Sequence, residues 1–293
     1  MEIIRTISWM KEASREARAE NQIVGLVPTM GALHEGHLSL IRRAKSECSK
    51  VLASIFVNPT QFGPKEDFAK YPRTFESDVE KLTAAGVDAV FAPEAAEIYP
   101  ANYQTYVNVD GISERLEGRA RPGHFRGVAT VVLKLFQIIR PTFAYFGRKD
   151  AQQVRIIQQM ARDLNLDVEI VVCPIVRESD GLALSSRNAY LNPQERAAAT
   201  ALHRALAKAQ DAIARGTRDA LELQSILRET IAREPLCALD YAEIVDVETF
   251  EPAVRIARTS YLLLAVFLGK TRLIDNMLVT PSPSNPDDLL TSL

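Results

Sequence analysis

Ile23-Val24-Gly25-Leu26-Val27-Pro28-Thr29-Met30-Gly31-Ala32-Leu33-His34-Glu35-Gly36-His37-Leu38-Ser39-Leu40 is the stretch on which the fold is decided. A short apolar run without polar alternation gives way, through proline and glycine, to a helical pattern. That is a buried strand feeding a helix, the first half of a βαβ unit. The same rhythm recurs outward from it. Runs at residues 51–57, 89–91, 142–146 and 168–172 read as further strands covered on both faces, so a parallel sheet is expected. Between them Val128, Val131, Val132, Leu135, Phe136 and Ile139 recur at helical spacing as one apolar stripe, which Pro141 ends.

Near Val176 the pattern changes. Helical segments from Pro193 to Arg215 and from Thr217 to Arg233 precede strand-like runs at 241–247, 261–268 and 271–279, the ingredients of an antiparallel meander. The reading is α/β: a parallel-sheet domain over residues 1–175 and a smaller α+β domain over 176–280. Residues 281–293, rich in Pro, Ser and Asp, cannot bury much and are expected to be disordered.

Composition narrows the function. With 293 residues and 47% apolar content the chain can bury a large core. Its 35 Lys+Arg against 37 Asp+Glu leave no global positive field for nucleic acid or an anionic membrane. Cys48, Cys173 and Cys237 are far apart, without C-x-x-C spacing, and read as buried hydrophobes. The first residues lack the apolar stretch of a signal peptide, and the longest apolar run, 261–268, is too short to cross a bilayer. A cytoplasmic protein is expected. P-loop, G-x-G-x-x-G and G-x-S-x-G motifs are absent from the sequence, which supports neither a Walker NTPase, a dinucleotide oxidoreductase nor a nucleophile-elbow hydrolase.

Open α/β sheets bind ligands beyond the carboxyl ends of their strands. Four segments there carry chemistry. His34 and His37 lie on one face at a helix N-terminus, where backbone N–H groups favour anions, and Gly36 lets a ligand approach. They suit phosphate oxygens; a zinc pair or two incidental histidines are the alternatives. In Asn58-Pro59-Thr60-Gln61-Phe62-Gly63-Pro64 the amides of Asn58 and Gln61 suit hydroxyls and carboxylates of a small substrate, unless the segment is a plain turn. In Gly147-Arg148-Lys149-Asp150-Ala151-Gln152-Gln153, Lys149 can reach a polyphosphate and Gln153 shares its helix face, while Asp150 can cap the helix or hold a ribose or metal. Ser185-Ser186-Arg187-Asn188 gathers oxyanion donors, or merely joins domains.

Here the residues resemble a known family. His34-Glu35-Gly36-His37 resembles the H-x-G-H signature of the nucleotidyltransferase superfamily. With Phe56-Val57-Asn58-Pro59-Thr60-Gln61-Phe62, Tyr71-Pro72-Arg73-Thr74, His124-Phe125-Arg126-Gly127-Val128, Lys149-Asp150 and Ser185-Ser186-Arg187-Asn188, in order over most of residues 20–195, the chain is similar to the pantothenate synthetase (pantoate–β-alanine ligase) family. The resemblance implies a Rossmann-like N-terminal domain, a homodimer, and ATP- and Mg²⁺-dependent condensation of pantoate with β-alanine through a pantoyl adenylate, releasing pyrophosphate and AMP. It implies that His34, His37, Lys149, Ser185 and Arg187 contact the ATP phosphates. Pro28, Met30, Gly36, Gly147, Asp150, Val176, Leu184 and Ser186 would line the nucleotide site. Met30, Gln61 and Gln153 would hold pantoate, and Asp78 would help bind Mg²⁺.

Arg148 and Ser77 depart from the family's usual acidic or uncharged residues at those positions. An acyl adenylate hydrolyses in water, so the smaller domain is expected to act as a lid. The residues alone leave open an adenylyltransferase that keeps AMP in its product and a nucleotide-binding module without turnover.

Overall fold

A computed structural model describes residues 1–63 and 68–281. Its first part runs β1 (Glu2–Ile4), α1 (Ile7–Ala19), β2 (Val24–Thr29), α2 (Glu35–Glu47), β3 (Lys50–Ile55), α3 (Phe75–Ala84), β4 (Ala89–Phe91), α4 (Ala95–Ile98), α5 (Glu117–Ala120), α6 (His124–Ile139), β5 (Phe143–Gly147), α7 (Ala151–Asp163) and β6 (Glu169–Cys173). The six strands form one parallel sheet in the order β1-β4-β3-β2-β5-β6. The five strands expected from sequence are all in it. β1 is an addition: three residues carry too little pattern to read, yet Glu2 pairs with Ala89 and extends the sheet by one edge.

The strands are unbroken apolar runs because helices cover both faces. Residues of α1, α6 and α7, among them Met10, Val132 and Ile157, pack against Leu26 and Phe146 on one side. Leu40, Ile41 and Ala44 of α2 and Leu82 of α3 pack against Val27, Val51 and Tyr145 on the other. Gly25 is a glycine for a reason: a Cβ there would stand 2.7 Å from the Cys48 sulfur at the end of α2. The expected helix over residues 128–139 starts a turn earlier, at His124, and ends at Arg140, whose left-handed φ of 48° turns the chain into Pro141.

The chain forms two compact units, Met1–Val176 with Leu184–Ser186, and Arg177–Ala183 with the chain from Arg187 onward. The second unit holds α8 (Pro193–Ala198), α9 (Ala201–Ala214), α10 (Ala220–Ala232), β7 (Cys237–Asp246), β8 (Ser260–Leu268) and β9 (Thr271–Val279). The last three are the expected antiparallel meander, in the order β7-β8-β9. The single helix expected from Pro193 to Arg215 is interrupted at Ala199 and Thr200. Leu202, Leu206, Leu223 and Leu227 of the helices pack on Leu262 and Leu264 of β8. Arg177 makes a forked ion pair with the buried Asp275 of β9, at 2.7 and 2.9 Å. The expected tail lies, beyond Pro281, outside the described residues, as does Pro64 of the loop after β3.

Candidate active site

From β2 the chain moves outward through α2 to β3 and then to β4, whereas β5 returns to the other side of β2 and α7 leads on to β6. The connections leaving β2 and β5 therefore part in opposite directions. A crevice opens at the carboxyl ends of these two strands, the switch point at which such sheets bind ligands. The segment after β2 leads into His34 and His37, and the segment after β5 carries Lys149.

The loop after β2 is strained and clamped. Gly31 and Ala32 both have left-handed backbones, φ 82° and 51°, and an alanine occupies that region at a cost. Asp78 of α3 holds them there. Its carboxylate oxygens accept from the backbone N–H groups of Ala32 and Leu33, each at 2.8 Å, and from the Thr74 hydroxyl at 3.1 Å. Lys81, one turn on, donates to the Leu33 carbonyl at 2.8 Å. Asp78 is 1% exposed, with both oxygens turned to protein donors. Among the described residues there is no group of three His, Cys, Asp or Glu side chains able to hold a metal ion. Asp78 thus anchors the loop, and its expected part in binding Mg²⁺ rests on the family resemblance.

That loop delivers His34 to the start of α2. The His34 ring accepts from the Gly36 N–H at Nδ1 (3.1 Å), and the His37 ring accepts from the His34 N–H at its own Nδ1 (3.3 Å). The two imidazoles thus cap their own helix reciprocally, with ring centroids 4.1 Å apart. Burial lowers the pKa of His34, and the nearby Lys149 ammonium lowers it further. Burial chiefly, then His34, brings His37 down to about 3. Both rings are neutral at physiological pH. Because Nδ1 accepts in each, the single ring proton sits on Nε2, and each ring is left with one N–H donor for an anion. Gly36 makes this possible, since a Cβ there would stand 2.8 Å from the His34 ring.

Across the crevice, Gly147 ends β5, and a Cβ at that position would meet open space. The turn Arg148–Asp150 follows. Lys149 and Asp150 lie close enough to His34 and His37 to shift both electrostatically. Asp150 occupies the N-cap position of α7 but makes no side-chain cap bond there, so the capping alternative is not realised. Gln153 is half-buried one turn after Lys149. Its neighbour Gln152 is spent on structure, bonding the Glu117 N–H and the Ile112 and Arg115 carbonyls. Pro28 and Met30 are half-buried along the end of β2 and its loop.

In the loop after β3, Asn58 is fully buried and Gln61 7% exposed. Asn58 donates to the Gln61 Oε1 and the Gly127 carbonyl, and accepts from the Thr60 N–H and hydroxyl. All its valences are used within the protein, and through them it holds Gln61. His124 secures the same loop from α6, with Nδ1 2.9 Å from the Gln61 carbonyl. Val176 accepts from the Leu184 N–H at 3.0 Å, and Leu184 passes the start of α2, 3.9 Å from where a Gly36 Cβ would lie. Ser185 and Ser186 continue that segment in the first unit; Arg187 is grouped with the second unit. The crevice thus unites His34, His37, Lys149 and Asp150, with Leu184 against Gly36. The anchoring roles of Lys81, His124 and Asp78 were not read from sequence, since nothing in their spacing shows where their donors and acceptors point.

The chain is closely similar to known proteins. The model of the family described as Pantoate-beta-alanine ligase matches residues 2–278. The pantothenate synthetase of Heliobacterium modesticaldum is 55% identical over 279 residues, 95% of this chain and 99% of that protein, and that of Koribacter versatilis is 54% identical over 95% and 96%. A crystal structure of pantothenate synthetase from Thermus thermophilus superposes with a TM-score of 0.91 at 44% identity, covering 96% of this chain and all of that one. That of the pantoate–β-alanine ligase from Francisella tularensis, complexed with Beta-gamma ATP and β-alanine, does so with a TM-score of 0.79 at 37% identity over the same shares. A match this long and this close, over a sheet whose switch point carries the paired histidines, shows that the chain belongs to the pantoate–β-alanine ligase family.

Proposed function

We propose that the chain condenses pantoate with β-alanine through a pantoyl adenylate, consuming ATP and releasing pyrophosphate and then AMP. The observation that carries this reading is the convergence of two neutral Nε2–H imidazoles and Lys149 at the switch-point crevice. In the first step the pantoate carboxylate oxygen attacks the α-phosphorus and the bond to the bridging oxygen breaks. Pyrophosphate leaves with added negative charge. Donors already held in place stabilise that charge without reorganising, and the reciprocal caps of His34 and His37 provide such fixed donors. In this reading Lys149, His34, His37 and Ser185 take the triphosphate, and Arg187 joins them on the family resemblance. Pro28, Met30, Gly36, Gly147, Asp150, Val176, Leu184 and Ser186 line the nucleotide, while Met30, Gln61 and Gln153 hold pantoate. Magnesium enters with the nucleotide phosphates.

In the second step the neutral amine of β-alanine attacks the carbonyl of the mixed anhydride and AMP departs. Positioning supplies much of this acceleration. A homodimer fits the edge strand β6, where Ile170, Val171 and Val172 are only partly covered. A cytoplasmic setting fits three buried free cysteines, and no helix among the described residues is long and apolar enough to cross a membrane.

The test is exchange of labelled pyrophosphate into ATP in the presence of pantoate and absence of β-alanine. Pantoate-dependent exchange is expected. Condensation that proceeds with no such exchange would refute the adenylate, and nucleotide binding without turnover would favour a binding module.

A further inference from the structure

A directed hydrogen-bond chain runs behind Gln61. The Tyr99 hydroxyl lies 3.2 Å from the Thr60 hydroxyl, which donates to Asn58 Oδ1 at 2.9 Å. Asn58 Nδ2 donates to Gln61 Oε1 at 2.9 Å and to the Gly127 carbonyl at 3.1 Å. The direction of each proton follows from the partners. Reversing the Asn58 amide would set its NH₂ against the Thr60 N–H and its oxygen against the Gly127 carbonyl. Thr60 has one hydroxyl hydrogen and gives it to Asn58, so the phenol of Tyr99 donates to Thr60. Burial raises the Tyr99 pKa to about 12, which keeps that proton in place. With Oε1 occupied by Asn58, what Gln61 retains for a ligand is its Nε2 pair of donors.

The far end of the chain is fixed as well. The Tyr99 ring packs 5.0 Å from Tyr103 and 6.3 Å from Phe56, and the Lys134 ammonium of α6 lies 5.6 Å from its centroid. The phenol is aimed by the residue that follows β3, by α6 and by the segment after α4 together.

We propose that Tyr99 is a positioning residue for the hydroxy-acid substrate: through Thr60 and Asn58 it holds the Gln61 amide with its donor end toward that substrate, so that this corner of the site selects an oxygen acceptor. The proposal rests on the reading of Gln61 as a pantoate contact. It makes the Gln61 position selective: a carboxylate or hydroxyl oxygen is accepted there, and a cationic ammonium group in its place is refused.

Tyr99→Phe keeps the ring and deletes the one donor. The expected result is a pantoate KM raised about two- to tenfold, the size of one neutral hydrogen bond, with the KM for ATP and β-alanine and the Tm unchanged. Tyr103→Phe, in the same stack, is expected to change none of these. In a Gln61→Ala background Tyr99→Phe should add nothing further to the pantoate KM. The Gln61 side-chain amide resonance, assigned by its loss in Gln61→Ala, should move in Tyr99→Phe protein free of substrate. An unmoved resonance, or an equal rise in KM without Gln61, overturns the proposal alone. A Gln61→Ala variant with normal pantoate KM overturns the placement of pantoate and the proposal together.

Discussion

Replacing Asp78 by asparagine separates two roles that a carboxylate in this position can have. The side chain is 1% exposed and receives the Ala32 and Leu33 N–H groups on its two oxygens, each at 2.8 Å. Asparagine keeps one oxygen and turns an NH₂ toward the other N–H. The lost bond to a charged acceptor is worth about 1.5–3 kcal/mol, and leaving a buried N–H unmatched belongs to the same range. Against this, the loop can relax the left-handed Ala32, which recovers on the order of 1 kcal/mol. The net cost is about 1 kcal/mol, or a fall in Tm of about 2–4 °C for a unit of this size. Thermal unfolding in EDTA, beside kcat/KM over a range of Mg²⁺ concentrations, is the assay. The loop-anchor account expects the drop in Tm without any metal present and an activity loss that extra Mg²⁺ does not repair. An unchanged Tm in EDTA, with activity restored by raising Mg²⁺, would refute it and return Asp78 to the metal.

Lys149→Ala is expected to slow pantoate-dependent pyrophosphate exchange by about a hundredfold or more, the effect of removing one aimed donor, with unchanged circular dichroism; near-normal exchange would remove Lys149 from the chemistry. Gly36→Ala places a Cβ 2.8 Å from the His34 ring, so the ring must leave its cap, and kcat/KM should fall on the order of a hundredfold with the fold retained. His37 links stability to pH. The unfolded imidazole takes a proton near 6.5 and the folded one only near 3, so acid favours unfolding, and this contribution is complete above pH 6.5 and is lost as pH falls toward 3. Denaturant midpoints at pH 7 and pH 5 should therefore differ less in His37→Asn than in the native chain, and equal differences would show that His37 ionises normally.

The parallel sheet was legible because strands covered on both faces must be apolar throughout, as Val24 to Val27 and Val51 to Ala53 are. The histidine pair was legible because i and i+3 share a helix face. What escaped is instructive in each case. β1 is too short to show a period, and the break at Ala199 and Thr200 has neither proline nor glycine to announce it. Asn58 was read for its amide and Asp78 on the family resemblance, and neither reading showed the hydrogen bonds these side chains make inside the protein. Whether an amide or carboxylate faces a ligand or its own backbone depends on which N–H groups the fold brings within 3 Å, and the Ala32 and Leu33 donors come from more than forty positions away. Chemistry of this kind is non-local, so no spacing rule contains it.

The position of β1 has a bearing on synthesis. Among the described strands its neighbour is β4, and Glu2 cannot meet Ala89 until that residue has been made. At about 5–20 residues per second the strand waits several seconds, its backbone unpaired, while β2 and β3 emerge and join through α2. A long apolar edge would invite aggregation during that delay. Three residues, with an exposed glutamate among them, offer a passing chain little to grip.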